Sequence, residues 1–510
     1  MAAQAPFHLL SRDRLELVDA WGMNRSSLAF VHRPTTVERA RQVLVAATEQ
    51  GVTVAPRGAG CSYGDASLNA ENVVLDMTRM NRILAWDPNS GRIAVEPGVT
   101  VRQLWQFCIE DGWWPPVVPG TMAVTIGGGA GMNYHGKNNF KVGPIGDHII
   151  EFDLLLPTGA VKTCRRDTAP DLFHAAIGGF GMLGVITRIV LQMKRVYSGL
   201  LRVDAFSTAS FGEIIEEFEK RMYGADYLVG WIDCFAGGDR LGRGLVHQAN
   251  YLLPGEDPAP AQSLRVANQE LPDTMFGVLP KSTMGRLLQP FTNNVGMHAI
   301  NTAKFIQGDT LGNNKTVDQP LAQFSFLLDY VPNWKFAYKP GALVQFQSFV
   351  PAERAESVFR KQILLSQKAG IVPFLGVFKR HRPDSFLISH AVEGYSLALD
   401  YPLTDRNVAG LRVLVDRLAD IVLENGGRFY FAKDSLLSAC AAKSFLGPDR
   451  LSKLAELKKA CDPNGVLETE LSRRLFPELT AREQDSPVKS DGAAFIAESI
   501  ASDNGRVNES

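Results

Sequence analysis

Two glycine clusters are the stretches of this chain whose residue types and spacing could hold a ligand. The first, 55 APRGAGCSYGD 65, packs Gly58, Gly60 and Gly64 into one loop. A P-loop needs a lysine and a hydroxyl after its last glycine, so that an ammonium and Mg²⁺ can face the β and γ phosphates. Here Ser62 and Tyr63 intervene and no GK[ST] follows. A Rossmann loop comes closer in spacing but must open a helix whose N-terminus meets the pyrophosphate. After Gly64 comes DASLNAENVVLDM, a short loop and then a strand. A phosphate here is therefore expected on bare backbone N–H groups, a nest, with Arg57 or Ser62 beside it. Taken alone the cluster reads equally as a tight turn without a ligand. The second cluster, 125 TIGGGAGMNYHGKN 138, adds Gly127, Gly128, Gly129, Gly131 and Gly136, again read as lying between extended segments. Two backbone concavities can close on one long ligand. FAD, with a pyrophosphate in its middle and a planar ring at one end, is the cofactor that suits the pair.

The elements that must position these loops follow from hydrophobic periodicity. From 28 to 84 the order reads strand, helix, strand, glycine loop, strand, the helix carrying Val37, Ala40, Val43, Leu44 and Ala47 on one face. RILAWDPNSGRIAVEPG reads as a hairpin, VTVRQLWQFCIEDGWW as a helix ending at Gly112, HIIEFDLLLPTGAVKTC as a second hairpin and RIVLQMKRV as a closing strand. Beyond 197, GWIDCFAGG, ALVQFQSFVP, FLGVFKRHR and YSLALDYPL read as strands of a broad antiparallel sheet. They are interrupted by polar stretches at 254–275 and 307–320 of the kind that form lids or disordered loops. The chain returns through the helix VAGLRVLVDRLADIVLENGG to FYFAKDS and a last helix before DPNG. The polar run from 478 reads as a mobile tail.

With 510 residues the chain is too long for one ordinary core and is expected to form two interleaved domains. A formal net charge of −1, with no Lys/Arg block, gives no pull toward nucleic acid. Six scattered cysteines without CxxC pairs or histidine companions predict a reduced, metal-free protein. No apolar run is long enough for a membrane span, and the first residues lack a secretion leader, so a cytoplasmic address is expected. Attachment to a membrane surface through an exposed apolar patch stays open.

PRGAGCSYGD, PGTMAVTIGG, HGKN, GGFGMLGVI (178–186) and YFAKDS together resemble the vanillyl-alcohol-oxidase (PCMH-type) FAD-binding family. Within it they are most similar to the branch that oxidises polyprenyl-phosphate-linked ribose. The likeness runs from AWG near 20 to RRLFP near 477. It implies an α+β fold: a PCMH-type FAD-binding domain over 10–196, a substrate domain over 197–425 with a large antiparallel sheet flanked by helices, and a return over 426–477 to the first domain, before a tail over 478–510.

On the same resemblance, Arg57, Gly58, Ala59, Gly60, Cys61, Ser62, Tyr63 and Gly64 wrap the FAD pyrophosphate, with Gly120, Thr121, Thr125, Gly127 and Gly128 completing the cradle. His135, Gly136 and Asn138 of the HGKN loop join the cofactor site. Gly184, Val185 and Ile186 meet the adenine side, and Tyr430 lies near the flavin. Lys137, Trp231, Gln345, Gln347 and Lys433 match positions that line the family's substrate pocket, and His135 or Lys433 takes the hydroxyl proton as hydride passes from a carbinol carbon to the flavin.

Plainer readings stand beside these: Lys433 as a surface lysine, His135 as a loop histidine, Trp231 as core. Gln345 and Gln347, two apart on a strand, must share one face. Cys61 stands where the family carries arginine or a flavin-linked histidine, and dissociable FAD is expected. Ala398 and Ser396 replace a cysteine and an asparagine, which leaves the sugar open. The implied activity is oxidation of a secondary alcohol on a polyprenyl-phosphate sugar, with an NAD(P)H-dependent reductase as partner. The alternatives are a flavin oxidase of free sugars or aldonolactones, a sterol-type double-bond reductase, and a flavin-fold binding protein without catalysis.

Overall fold

The first glycine loop hangs from a four-stranded sheet whose order is Leu15–Asp19, Ser26–His32, Val73–Asp76, Val54–Arg57 in a computed structural model that describes residues 8–272, 274–275 and 279–480. The first pair is antiparallel and the others parallel, so the loop leaves at Arg57 and the chain re-enters the sheet at Val73. The helix Val37–Gln50 makes the crossover. Thr36 caps it by accepting from the Arg39 N–H, and Gly51 ends it at φ 67°, a left-handed turn that glycine adopts without strain. Its Ala40, Val43, Leu44 and Ala47 face packs on Val54, Val73 and Leu75. A second, five-stranded antiparallel sheet follows, in the order Ile83–Asp87, Arg92–Val95, Val185–Gln192, Ile149–Leu155, Val161–Arg165.

The third sheet has eight antiparallel strands: Lys315–Pro320, Leu200–Thr208, Gly244–Tyr251, Tyr227–Ile232, Leu375–His381, Gly394–Leu403, Ala342–Pro351, Arg428–Phe429. The helices Ala352–Lys368 and Val408–Glu424 cover one face, where rings such as Phe359 and Phe378 meet 5.9 Å apart between centroids. Ala342–Pro351 is therefore buried almost throughout, and its odd-numbered residues from 345 to 349 point the other way, toward the glycine loops.

The C-terminal return locks the first loop in place. Val54 exchanges backbone bonds with Val466 and Glu468, and the Tyr63 N–H donates to the Ala432 carbonyl at 2.9 Å. Asp65, fully buried at the end of the loop, accepts from Arg474 Nε and Nη2, both at 2.8 Å. Replacing Asp65 with alanine removes two bonds of that guanidinium, which keeps Asp434 and the Leu437 carbonyl, and is expected to cost about 1.5–3 kcal/mol, measurable as a lowered urea midpoint.

Three expectations are corrected. The second glycine cluster does not lie between extended segments: Ile126–Met132 is a helix, started by the Thr125 hydroxyl, which accepts from the Gly128 N–H. Its glycines are tolerated because neighbours press on the places where side chains would be, Pro97 at Gly127 and the Tyr134 ring at Gly129. The 307–320 stretch is no open loop but ends in the edge strand Lys315–Pro320, and 254–275 carries the one-turn helices Pro260–Ser263 and Val266–Gln269. Of the tail expected from 478, the first residues sit in the short helix Pro477–Thr480; from 481 on it lies outside the described residues.

Candidate active site

The two glycine clusters and the open face of the large sheet enclose one deep cavity. Arg57 to Tyr63, Gly120, Thr121, Thr125, Gly127 and Gly128 line it from the glycine clusters, and Gly184, Val185, Ile186, Tyr430 and Lys433 complete its wall. Thr125 clasps the loops together, its buried hydroxyl lying 3.4 Å from both the Ala59 and the Gly128 N–H. Arg57 turns back under its own loop, donating to Ser67 Oγ and the Asp19 carbonyl, each at 2.9 Å, and Gly60, at φ 66°, leaves room for the guanidinium.

Sheet register builds the floor. Gln347 lies opposite Ala398, which lies opposite Val377; Gln345 lies opposite Asp400, which lies opposite Leu375; Ser396 lies opposite Lys379. Gln345, Gln347, Lys379 and Asp400 thus share one face and line the cavity with His135 and Lys433. Lys379 and Asp400 were not singled out from sequence, although a charge inside the apolar runs LGVFKRH and GYSLALDYPL, two residues from a floor position, was the available signal.

Five of the sequence-selected residues lie outside the cavity wall, and each has a physical reason. Trp231 sits on the same rung as Val377 but is covered by the Lys304 ammonium, 4.3 Å above its ring. Lys137 is buried beneath the Phe324 ring side and donates to the Phe324 and Ser325 carbonyls. Asn138 donates to the Pro116 carbonyl at 2.8 Å, and Gly136 is pressed against Asn138 and Val118. Gly64 also leaves the wall, its Cα facing the Asp434 carbonyl.

The electrostatics are those of a dry pocket. Burial pulls the Lys433 ammonium down to about 7, against the opposing pull of the Asp400 carboxylate; the amine lies 3.5 Å over the Tyr63 ring. Burial pushes Asp400 up to about 6, with the Gln345 amide, which donates to its Oδ1, and Lys433 acting against it. Lys379 is lowered to about 8 by burial and forms no ion pair among the described residues. His135 is driven well below the usual histidine range by burial and then by the neighbouring cations and histidines, so its ring is neutral. Gln347 Nε2 approaches His135 Nε2 at 3.2 Å, joining the ring to the floor amide.

The cavity suits FAD on three observations. Its glycine-cluster wall is bare main chain from two loops that a side chain at Gly58 would drive apart. Its lining joins both glycine clusters, Ile186 and the sheet floor in a single cavity. The buried Gln345 Oε1, Asp400 Oδ2 and His135 Nδ1 at its floor have no protein partner among the described residues, so a polar guest is needed to satisfy them.

A model of the FAD binding domain family matches residues 28–165. Decaprenylphosphoryl-beta-D-ribose oxidase of Mycolicibacterium smegmatis is 31% identical, over 89% of this chain and 96% of that protein. The chain belongs to the PCMH-type FAD-binding oxidoreductases. L-gulonolactone oxidase of Mus musculus (27% identical over 38% of this chain and 43% of its own) and D-lactate dehydrogenase of Anaerostipes hadrus (28% over 31% and 35%) are similar across shorter spans. The protein is thus an FAD-dependent oxidoreductase, and no helix among its described residues is long and apolar enough to cross a membrane. In this flavoenzyme Arg57 to Tyr63, Thr121, Thr125, Gly127 and Gly128 line the same cavity as the sheet floor.

Proposed function

We propose that the enzyme oxidises a secondary alcohol on a polyprenyl-phosphate-linked sugar, with Lys433 as the base. One observation carries the reading: beside the cofactor loops, a floor of two amides, Gln345 and Gln347, lies between two buried amines, Lys433 and Lys379. Amides of this kind hold sugar hydroxyls, and an amine without an acidic partner offers a phosphate its counter-charge. The identity with decaprenylphosphoryl-beta-D-ribose oxidase over nearly its whole length supports the same substrate class.

When bound, FAD supplies the acceptor for the two electrons removed from the alcohol. Lys433 takes the hydroxyl proton, since an amine lowered to about 7 is half neutral at that pH and largely neutral above it. His135 is assigned the part of positioning the floor amide, its Nε2 lying 3.2 Å from Gln347 Nε2. Asp400 holds the Lys433 value up, so Asp400→Asn is expected to shift the rising limb of the pH–rate profile toward acid, with the plateau reached at lower pH than in wild type. The ketone product would pass to an NAD(P)H-dependent reductase. FAD is held without a covalent bond: burial raises the Cys61 thiol, keeping it protonated and a poor nucleophile. Acid precipitation should accordingly leave a colourless pellet and a yellow supernatant.

The test is anaerobic titration of the yellow protein with prenyl-phosphoryl sugars, free sugars and lactones, following loss of flavin absorbance. Bleaching by a prenyl-phosphoryl sugar at the lowest concentration supports the assignment. Preference for lactones or free sugars, with H₂O₂ formed in air, would replace it with the oxidase reading, and no bleaching by any alcohol would leave a binding protein.

A further inference from the structure

The helix Asn294–Gln307 is apolar on two opposite faces and covered on only one. Asn293 starts it, its side chain accepting from the Val295 and Gly296 N–H groups at 3.1 and 3.0 Å. On the inner side Asn301 is buried and donates to the Met297 and Phe374 carbonyls, and Phe305 lies under the Arg243 guanidinium at 4.5 Å. On the outer side Val295, Ala299, Ala303 and Ile306 recur at helical spacing and form a shallow apolar groove with Phe235 and Val372. Val295 is 82% exposed and Ile306 53%. Among its fourteen residues Lys304 is the single Lys, Arg, Asp or Glu, so the outer apolar stripe has little charge beside it.

The apolar exposure continues past the helix. Leu287, Phe291 and Leu311 are each more than half exposed, and of the twenty large apolar side chains that stand out into solvent among the described residues, seven fall between 287 and 327. Scattered single residues of this kind are ordinary; a run of them beside a groove marks a surface that meets something.

Charge says what it meets. The chain as a whole is balanced, with 53 basic and 54 acidic residues in 510, yet residues 274–308 contain no Asp or Glu and carry Lys281, Arg286 and Lys304. The neighbouring 330–341 again lacks acids and carries Lys335 and Lys339; Gln289 ties the two segments by donating to the Phe336 carbonyl at 2.8 Å. Arg286 and Lys339 are exposed. The helix itself carries no acid, and Asp309 beyond it is tied to the Ser207 hydroxyl; an apolar helix face with exposed cations on the neighbouring segments matches the interface of an anionic bilayer, where the apolar side chains enter the acyl boundary and the cations lie among the headgroups. A protein partner or a second copy of this balanced chain gives no reason for the missing acids.

We infer that this face docks the enzyme on anionic lipid membranes, with Val295 and Ile306 inserted and Arg286 and Lys339 on the headgroups. The inference stands on the surface alone. Vesicle binding needs no substrate, so its failure leaves the substrate assignment untouched, and the reverse holds.

The test is co-sedimentation of the full-length, FAD-loaded protein with extruded vesicles of phosphatidylcholine alone and of phosphatidylcholine mixed with phosphatidylglycerol. Partitioning is expected to be about tenfold or more stronger on the anionic vesicles and to fall as salt rises. The double variant Val295→Asp/Ile306→Asp should lose about tenfold or more of it while keeping its flavin absorbance and unfolding temperature, both side chains being exposed. Arg286→Glu/Lys339→Glu, which leaves the apolar face intact, should lose the preference for anionic over neutral vesicles. Absence of binding to anionic vesicles, or variants that bind as wild type does, would overturn the inference. So would variants whose only effect is on self-association in sedimentation velocity, which would make the face an interface between copies.

Discussion

Lys433→Ala is expected to slow reduction of the bound flavin by its alcohol substrate by about 10²–10⁴-fold, the range that a positioned base contributes, while FAD stays bound. The amine sits over the Tyr63 ring, while the Gly58–Thr125–Gly128 contact that sets the main-chain cradle does not involve it. Anaerobic stopped-flow absorbance separates the two quantities, amplitude for cofactor content and rate for chemistry. The pH profile identifies the role. With the amine lowered to about 7 by burial, the wild-type rate should climb about tenfold per pH unit below that value and level off above it, because only the neutral amine accepts a proton. Lys433→Ala should be flat across the same range. Lys433→Arg keeps a cation at the site but holds its proton throughout. It should be as slow as the alanine variant; recovery of the wild-type rate by arginine would show that the charge matters and the proton transfer does not.

The fold was legible wherever one periodicity dominated. The helix Val37–Gln50 and the hairpin strands Ile149–Leu155 and Val161–Arg165 announce themselves by spacing and turn residues. The second glycine cluster did not, because glycine is a poor helix former and IGGGAGM has no apolar stripe. What makes it helical is tertiary: the Thr125 cap, and Pro97 and Tyr134 filling the space beside its backbone. The site divides the same way. Gln345 and Gln347 could be read as a pair from their two-residue spacing, and the structure sets both on the cavity floor. Which strand would lie beside them is a matter of sheet order, and Leu375–His381 and Gly394–Leu403 bring Lys379 and Asp400 to that floor across sequence gaps that no local pattern spans. Trp231 shows the converse. Its strand and face were readable, but the helix bearing Lys304 arrives from some seventy residues on and covers it.

Gly58→Ala should empty the cofactor site, weakening FAD by about a hundredfold or more so that the protein purifies colourless. A methyl group at position 58 would fall on Thr125 Oγ1, well inside contact distance, with the Gly128 Cα at 3.3 Å behind it. Thr125 cannot swing aside: it is buried, its backbone bridges Thr100, and its hydroxyl serves both the Ala59 and Gly128 N–H groups. The loops must therefore separate, and the spacing between two main-chain surfaces is what a cradle without side chains has to offer a pyrophosphate. Thr125→Ala alone loses a helix cap, about 1 kcal/mol, and is expected to retain most of its flavin. The double variant Gly58→Ala/Thr125→Ala removes the clashing oxygen and leaves only the 3.3 Å approach to Gly128, so it should bind FAD more tightly than Gly58→Ala despite carrying one more substitution. Flavin content by absorbance and FAD titration of the apoprotein by fluorescence quenching decide the order of the four proteins. A fully yellow Gly58→Ala protein would show that the loops do not grip the cofactor between them.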